Sequence, residues 1–359
     1  MSKIVFILGA GASKQAGAPL MGDFLDSASK LLVMGETGDK QKDFERVFSA
    51  IGSLQKVHSK SQLDLSNIES VFNAFEMANI LGKMPDINPE DIPQVIESLK
   101  ELIVKTLERT VKFAVPEMQI EAPSPYKEFA ELVYFLGQTS KPAYSVSIMT
   151  FNYDVSVDVA FYRYGLGINY GIDSNNSSKT EIPLLKLHGS MNWGFDENKE
   201  VIIPVPISSI IDNYGIPNLG GRRYCTVDVA RKMKMYFINK ADLKISPVPV
   251  IVPPTWNKVD HFKGLASIWA KAAAELGEAE YIFIIGYSMP ETDAFFRYLY
   301  ALGSVGDNPL KQITVYNPDD TGQIKGRYKD MLGPGAIGRF NYVPKKFNEA
   351  IPEIKRIFL

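Results

Sequence analysis

The chain has 359 residues, of which 45% are hydrophobic and 22% charged, an ordinary globular composition long enough to bury a sizeable core. Its formal net charge of −2 gives no general attraction to nucleic acid or to an anionic membrane surface. Cys225 is the only cysteine, which excludes an intramolecular disulfide and a cysteine-rich zinc knuckle and fits a reducing, cytoplasmic setting. No apolar run approaches the ~20 residues that cross a bilayer.

In chain order, Ile4–Leu8 reads as a buried first strand that breaks at once into the turn Gly9–Ser13. Helical patterns follow over residues 22–136, broken at 35–38, 84–93 and 116–125, and read as a mainly helical insertion or subdomain. Within it Val95, Leu99, Leu102, Ile103 and Leu107 share one helical face. Ser145–Thr150 is a second strand with a helix over 155–164, and Leu184–Leu187 is a third. Residues 191–248 are irregular, with prolines at 204, 206 and 217 and a Gly220-Gly221 turn. Strand-then-helix units resume with strands at 248–252, 281–285, 312–316 and 340–343 and helices over 260–276, from Glu291, after 316 and at the C-terminus. Such alternation predicts an α/β fold: a Rossmann-like parallel sheet with helices on both faces, in one domain over 1–359.

Five elements with polar or glycine residues fall at predicted strand ends, where open α/β sheets bind ligands. Gly9-Ala10-Gly11-Ala12-Ser13 allows either close approach of backbone amides to a pyrophosphate or a bare structural turn. Lys14 stands where a complete dinucleotide fingerprint has its third glycine. In Thr150-Phe151-Asn152-Tyr153-Asp154, Asn152 and Asp154 either grip hydroxyls or cap the next helix. In Lys186-Leu187-His188-Gly189-Ser190, His188 is the candidate proton-transfer group, because histidine alone titrates near neutrality unperturbed. His58 and His261, the other two histidines, read as surface residues. Gly286-Tyr287-Ser288-Met289-Pro290-Glu291-Thr292-Asp293 offers a helix start for a phosphate or ribose, or places Glu291 and Asp293 on the helix dipole themselves. Asn317, in Tyr316-Asn317-Pro318-Asp319, ends the last major strand. The basic stretch from Arg222 to Lys244 reads as a solvated face, so no direct nucleic-acid contact is expected.

The order Gly-Ala-Gly-Ala-Ser, Asn-x-Asp, His-Gly, Gly-x-Ser and strand-end Asn, with Gly17-Ala18-Pro19 as a Gly-x-Pro, resembles the sirtuin superfamily from Gly9 to Asn317. The Gly286–Asp293 segment looks most like bacterial sirtuin-like proteins associated with NAD⁺ depletion in antiphage defence. The resemblance implies NAD⁺ as substrate, with Gly9, Ala10, Gly11 and Ser13 at its phosphates and Asn152 and Asp154 at the nicotinamide ribose. It further implies His188 as base, Ser288 at phosphate or ribose, Asn317 on the adenosine side, and Pro19, Gly286 and Asp293 in the same binding set. Protein-deacetylating sirtuins carry two Cys-x-x-Cys pairs after the His-Gly motif. Here residues 191–248 hold only Cys225, so that tetrahedral site cannot be built and no zinc is expected. Phe151 and Tyr153 flank the Asn in place of the usual Gln and aliphatic residue, and Leu20-Met21-Gly22 replaces the usual Asp-Phe-Arg. The expected activity is therefore NAD⁺ glycohydrolysis to nicotinamide and ADP-ribose in a regulated defence effector, with homo-oligomers and a separately encoded partner such as a helicase-like ATPase. The alternatives are a zinc-free deacylase or ADP-ribosyltransferase and a non-catalytic NAD⁺ or ADP-ribose module.

Overall fold

The computed structural model describes residues 2–56, 62–138, 144–172, 181–212, 223–238, 240, 243–246, 248–252, 265–290, 293–306 and 308–359. His58, His261, Glu291, Thr292, Pro217 and the Gly220-Gly221 pair lie outside them, as do the predicted starts of the helices at 260 and 291.

The chain opens with β1 (Lys3–Leu8), the short α1 (Ala10–Ser13), and a helical run of α2 (Phe24–Val33), α3 (Gln41–Leu54), α4 (Ile68–Leu81) and α5 (Ile92–Thr110). The two-residue strand β2 (Phe113–Ala114) and α6 (Tyr126–Gln138) precede β3 (Ser145–Thr150), α7 (Ser156–Tyr164), β4 (Ile168–Asn169) and β5 (Ile182–Lys186). A hairpin of β6 (Trp193–Asp196) and β7 (Val201–Pro204) leads to α8 (Ile207–Ile211), β8 (Tyr224–Cys225) and α9 (Val229–Phe237). The final stretch holds α10 (Ala266–Gly277), β9 (Tyr281–Ile285), α11 (Ala294–Gly303), β10 (Gln312–Tyr316), α12 (Gln323–Met331), α13 (Pro334–Ile337), β11 (Phe340–Val343) and α14 (Phe347–Ile357).

Seven strands form one sheet in the order β11-β10-β9-β1-β3-β5-β4, every pairing parallel. The α/β reading holds: strands at 145–150, 281–285, 312–316 and 340–343 match the expected bounds. β1 is fully buried because both its faces are covered, which is why its sequence is continuously apolar rather than alternating. Ile4, Phe6 and Leu8 point into a core shared with α2 to α7 and α14, while Val5 and Ile7 point into a second core against α10, α11 and α12. The apolar face predicted on α5 is buried as expected. Among the described residues no helix is long and apolar enough to cross a membrane.

One expected strand is corrected. Residues 248–252 do not join the sheet; Ile251 forms only an isolated antiparallel bridge to Gly189. Their backbone instead straps the loop after β5, with Ser190 N–H donating to Val250 O (2.8 Å), Val250 N–H to Trp193 O (2.9 Å) and Val252 N–H to His188 O (2.9 Å). Apolar patterning alone does not tell a sheet strand from a buried extended strap.

At the centre of the first core, Phe6 is fully buried between Phe129 (5.1 Å, edge-on) and Phe283 (5.5 Å, stacked). Phe6→Ala is expected to lower unfolding free energy by about 3–5 kcal/mol in urea titrations. A loss below about 1 kcal/mol would mean that the core closes over the missing ring.

Candidate functional site

The sheet reverses direction of winding at β1: β3 and β5 lie to one side of it, β9, β10 and β11 to the other. A crevice forms at the strand C-termini at such a switch point. Here the sequence elements at Asn317, Gly286, Gly9, Asn152 and His188 end five consecutive strands, β10, β9, β1, β3 and β5. A cleft of about 750 Å³ runs along this edge. Its wall includes Ala10, Gly11, Asn152, His188, Gly286, Ser288, Asp293 and Asn317. Gly9, Ser13, Pro19 and Asp154 are buried beside it and are not part of its wall.

The glycines are required by loop packing. Gly9 N–H donates to Ile285 O (3.0 Å) and Gly11 N–H to Gly286 O (2.8 Å). A Cβ on Gly9 would lie 2.5 Å from Tyr287 Cα, and one on Gly286, at φ +63°, 2.3 Å from Ala12 N. The two strand-end turns therefore touch backbone to backbone. This corrects the pyrophosphate reading of Gly9 and Gly11 in one respect: both amides already serve the protein's own carbonyls.

Ser13 and Asp154 likewise move from direct contact to support. Ser13 Oγ donates to Asp154 Oδ2 (2.6 Å) and accepts from Asn152 Nδ2 (3.0 Å). Because its single hydrogen goes to the carboxylate, the 2.7 Å contact with the Tyr126 hydroxyl has the tyrosine as donor. Asp154 Oδ1 accepts from Ser156 N–H (2.9 Å), so the alternative of satisfying a free N–H of the next helix holds for Asp154, one residue before the N-cap Val155. It does not hold for Asn152, whose Nδ2 also donates to Gly9 O (2.9 Å). With both amide hydrogens directed inward, Oδ1 is the acceptor that Asn152 can present to the cleft.

His188 sits almost wholly buried at the β5 end, edge-on to Phe151 (5.0 Å between centroids), with Nε2 3.6 Å from Asp293 Oδ2. That distance is an ion-pair separation when the imidazole is protonated. Asp293 is held there by the Tyr287 hydroxyl (2.7 Å), and Tyr287 by a stack on Phe151 (4.3 Å) and by Tyr328, whose hydroxyl donates to Tyr287 O (2.8 Å). Asn317 Oδ1 accepts from Asp319 N–H (3.1 Å) in an Asx turn, leaving its Nδ2 as the donor toward the cleft.

Several wall residues were not singled out from the sequence. Glu69, in the first turn of α4, brings a second carboxylate to the His188 end. Its charge and that of Asp293 both help raise the Tyr153 and Tyr287 phenols well above their usual range, after desolvation as the largest cause. At the Asn317 end the wall carries Lys14, Arg327, Lys345 and Lys346. Lys14 pairs with Asp23 at 2.5 Å, Arg327 donates to Ser288 O at 3.3 Å, and Lys345 pairs with Glu353. Spacing gave no signal for these groups, since they reach the cleft from separate helices and loops. Tyr126 carried no motif either. The expected basic face is dispersed where described: Lys234 pairs with Glu101, Lys244 with Glu197, and Lys240 covers the Tyr236 ring.

No family model and no curated protein matches this chain. Among solved structures, an ADP-ribose complex of a mutant Sir2 homologue aligns over 99% of this chain and 90% of its own, at 14% identity and a TM-score of 0.45. A Sir2 homologue–NAD complex aligns over 99% of this chain and 88% of its own, at 13% identity and a TM-score of 0.42. What those proteins bind is a property of those proteins; the chemistry of this chain rests on its own cleft.

Burial raises the Tyr126, Tyr287 and Tyr328 phenols well above the ordinary value of 10.0, so the folded state holds their protons more tightly than the unfolded chain. Stability from these groups is complete below about pH 10 and falls as pH rises further, by up to about 1.4 kcal/mol per unit for each. Urea unfolding at pH 8 to 11 is expected to be level and then to decline above pH 10. A flat profile through pH 11 would show that the phenols ionise without unfolding.

Proposed function

We propose that the cleft binds NAD⁺ and hydrolyses its nicotinamide–ribose bond, yielding nicotinamide and ADP-ribose. The observation that carries this reading is the fixed Asn152 amide, its hydrogens turned to Gly9 O and Ser13 Oγ, on the same cleft wall as His188. An acceptor oxygen held without freedom to flip suits a ribose hydroxyl or a water, and a buried imidazole beside it suits proton removal. The volume of about 750 Å³ lies within the range of small-molecule sites. Carboxylates at the His188 end suit a cationic nicotinamide, and cations at the Asn317 end suit phosphates. The sirtuin-like order of motifs agrees with both.

In the proposed reaction the C1′–N bond breaks with its electron pair passing to the ring nitrogen, which neutralises the pyridinium. A water oxygen adds to C1′, and its proton passes to His188 and then to solvent. Positive charge moves from the ring to the ribose as the bond lengthens, so the Asn152 Oδ1 dipole beside the ribose stabilises the transition state more than bound NAD⁺, while the carboxylates hold the cationic ring in place. Glu69 thus joins the candidate set, while Ser13, Asp154 and Tyr126 act through Asn152.

Unrestrained hydrolysis would drain NAD⁺ from the cell that makes the enzyme. Control by self-association or by a separately encoded partner therefore belongs to the proposal, as does the antiphage role that the Gly286–Asp293 resemblance suggests.

The purified chain incubated with NAD⁺ is expected to release nicotinamide and ADP-ribose. His188→Ala, folded by circular dichroism, is expected to lose about 10²–10⁴-fold in kcat. Wild-type turnover in that variant would remove His188 from the mechanism, and turnover that requires an acyl-lysine peptide would favour the deacylase reading. Asn152→Ala is expected to lower kcat far more than it weakens NAD⁺ binding; equal losses would make Asn152 a binding residue only.

A further inference from the structure

Lys186, the last residue of β5, is buried to within 1% of its surface, two positions before His188. Its Nζ makes three short contacts: Asp154 O at 2.8 Å, Asp158 Oδ2 at 2.8 Å and Ser190 Oγ at 2.6 Å. Three acceptors are what the three hydrogens of an ammonium group can serve. Each acceptor belongs to a different part of the site. Asp154 follows Asn152 in the loop after β3, Ser190 follows His188 in the loop after β5, and Asp158 lies in α7.

The contacts continue outward from each partner. Asp154 takes the Ser13 hydroxyl that orients the Asn152 amide. Ser190 accepts from Lys186 and donates to Asn192 Oδ1 (2.7 Å), while Asn192 Nδ2 donates to Val205 O (3.0 Å). Asp158 accepts from the Tyr170 hydroxyl on its other oxygen (2.6 Å). A buried ammonium–carboxylate pair is seldom more stable than a packed apolar pair of the same size, so its contribution here is directional. An apolar side chain in this position would fill the space but leave the two loops joined only by weaker ties such as Met191 N–H to Tyr153 O (3.0 Å), without the shared nitrogen at Asp154 O and Ser190 Oγ.

We propose that Lys186 is a positioning residue: by holding Asp154 O and Ser190 Oγ on one nitrogen, it sets the spacing of Asn152 and His188 along the cleft wall. The consequence for turnover rests on the NAD⁺-cleavage reading above. Lys186 is not itself part of the cleft wall, so its loss should misplace the reacting groups without removing a ligand contact. A displacement of about 1 Å in such a site lowers turnover about 10²-fold.

Lys186→Met alone leaves the Asp158 carboxylate buried without its cation and risks unfolding. The paired variant Lys186→Met with Asp158→Asn removes both charges and keeps the volume. The expected result is a folded protein whose kcat for NAD⁺ falls about 100-fold, whose Kd for ADP-ribose by calorimetry stays within about threefold, and whose His188 imidazole NMR signal is displaced. Unchanged kcat in the folded pair overturns the proposal, and so does an equal loss of turnover and ADP-ribose affinity. If the wild-type chain does not cleave NAD⁺, the function reading fails on its own. The His188 signal then decides the positioning role: displaced in the pair, it stands; unchanged, it is overturned.

Discussion

The candidate site depends on one hydroxyl. Ser13 Oγ accepts from Asn152 and Tyr126 and donates to Asp154, so all its hydrogen-bonding capacity is used and its rotor is fixed. That single atom joins the turn after β1, the loop after β3 and the start of α6. An asparagine amide can flip at little energetic expense where both ends find partners. Here Gly9 O and Ser13 Oγ both demand hydrogens from the same end, so one orientation prevails. The acceptor character of Asn152 toward the cleft follows from that demand.

Aromatic packing does the corresponding work around His188. Phe151, Tyr287 and Phe296 meet ring to ring, and Tyr287 carries its hydroxyl to Asp293. The carboxylate beside the imidazole is thus placed by a rigid ring rather than by a flexible chain. At the opposite end, cations come from long side chains on α12 and the loop before α14, which tolerate adjustment to a ligand's phosphates. The cleft is stiff where a bond would break and adaptable where a ligand would be gripped.

The fold was legible because its signals are local. Continuous apolar runs such as Ile4–Leu8 and Tyr281–Ile285 suit strands of a sheet buried on both faces, and glycine or asparagine marks where each run stops. Residues 248–252 carry the same kind of run but strap a loop, because an extended apolar segment satisfies its amides equally well there. Much of the cleft wall was legible for the same reason: its motifs end strands. What could not be read is the division between wall and support. Asp154 and Asn152 look equivalent in sequence, yet one faces the cleft and the other is buried with both oxygens occupied.

By itself the sequence determined the parallel α/β sheet, the polar strand ends and the lack of cysteines for a tetrahedral thiolate site, since each depends on residue type and short-range spacing. Only the tertiary structure decided that five strand ends separated by some 300 residues of chain stand side by side, because strand order is set by long-range packing. It also decided that the glycines serve turn-on-turn contact, that Glu69 reaches the His188 end from α4, and that Tyr126 and Lys186 anchor the site from behind. Those roles depend on which side chains meet across the chain, and no local pattern encodes such meetings.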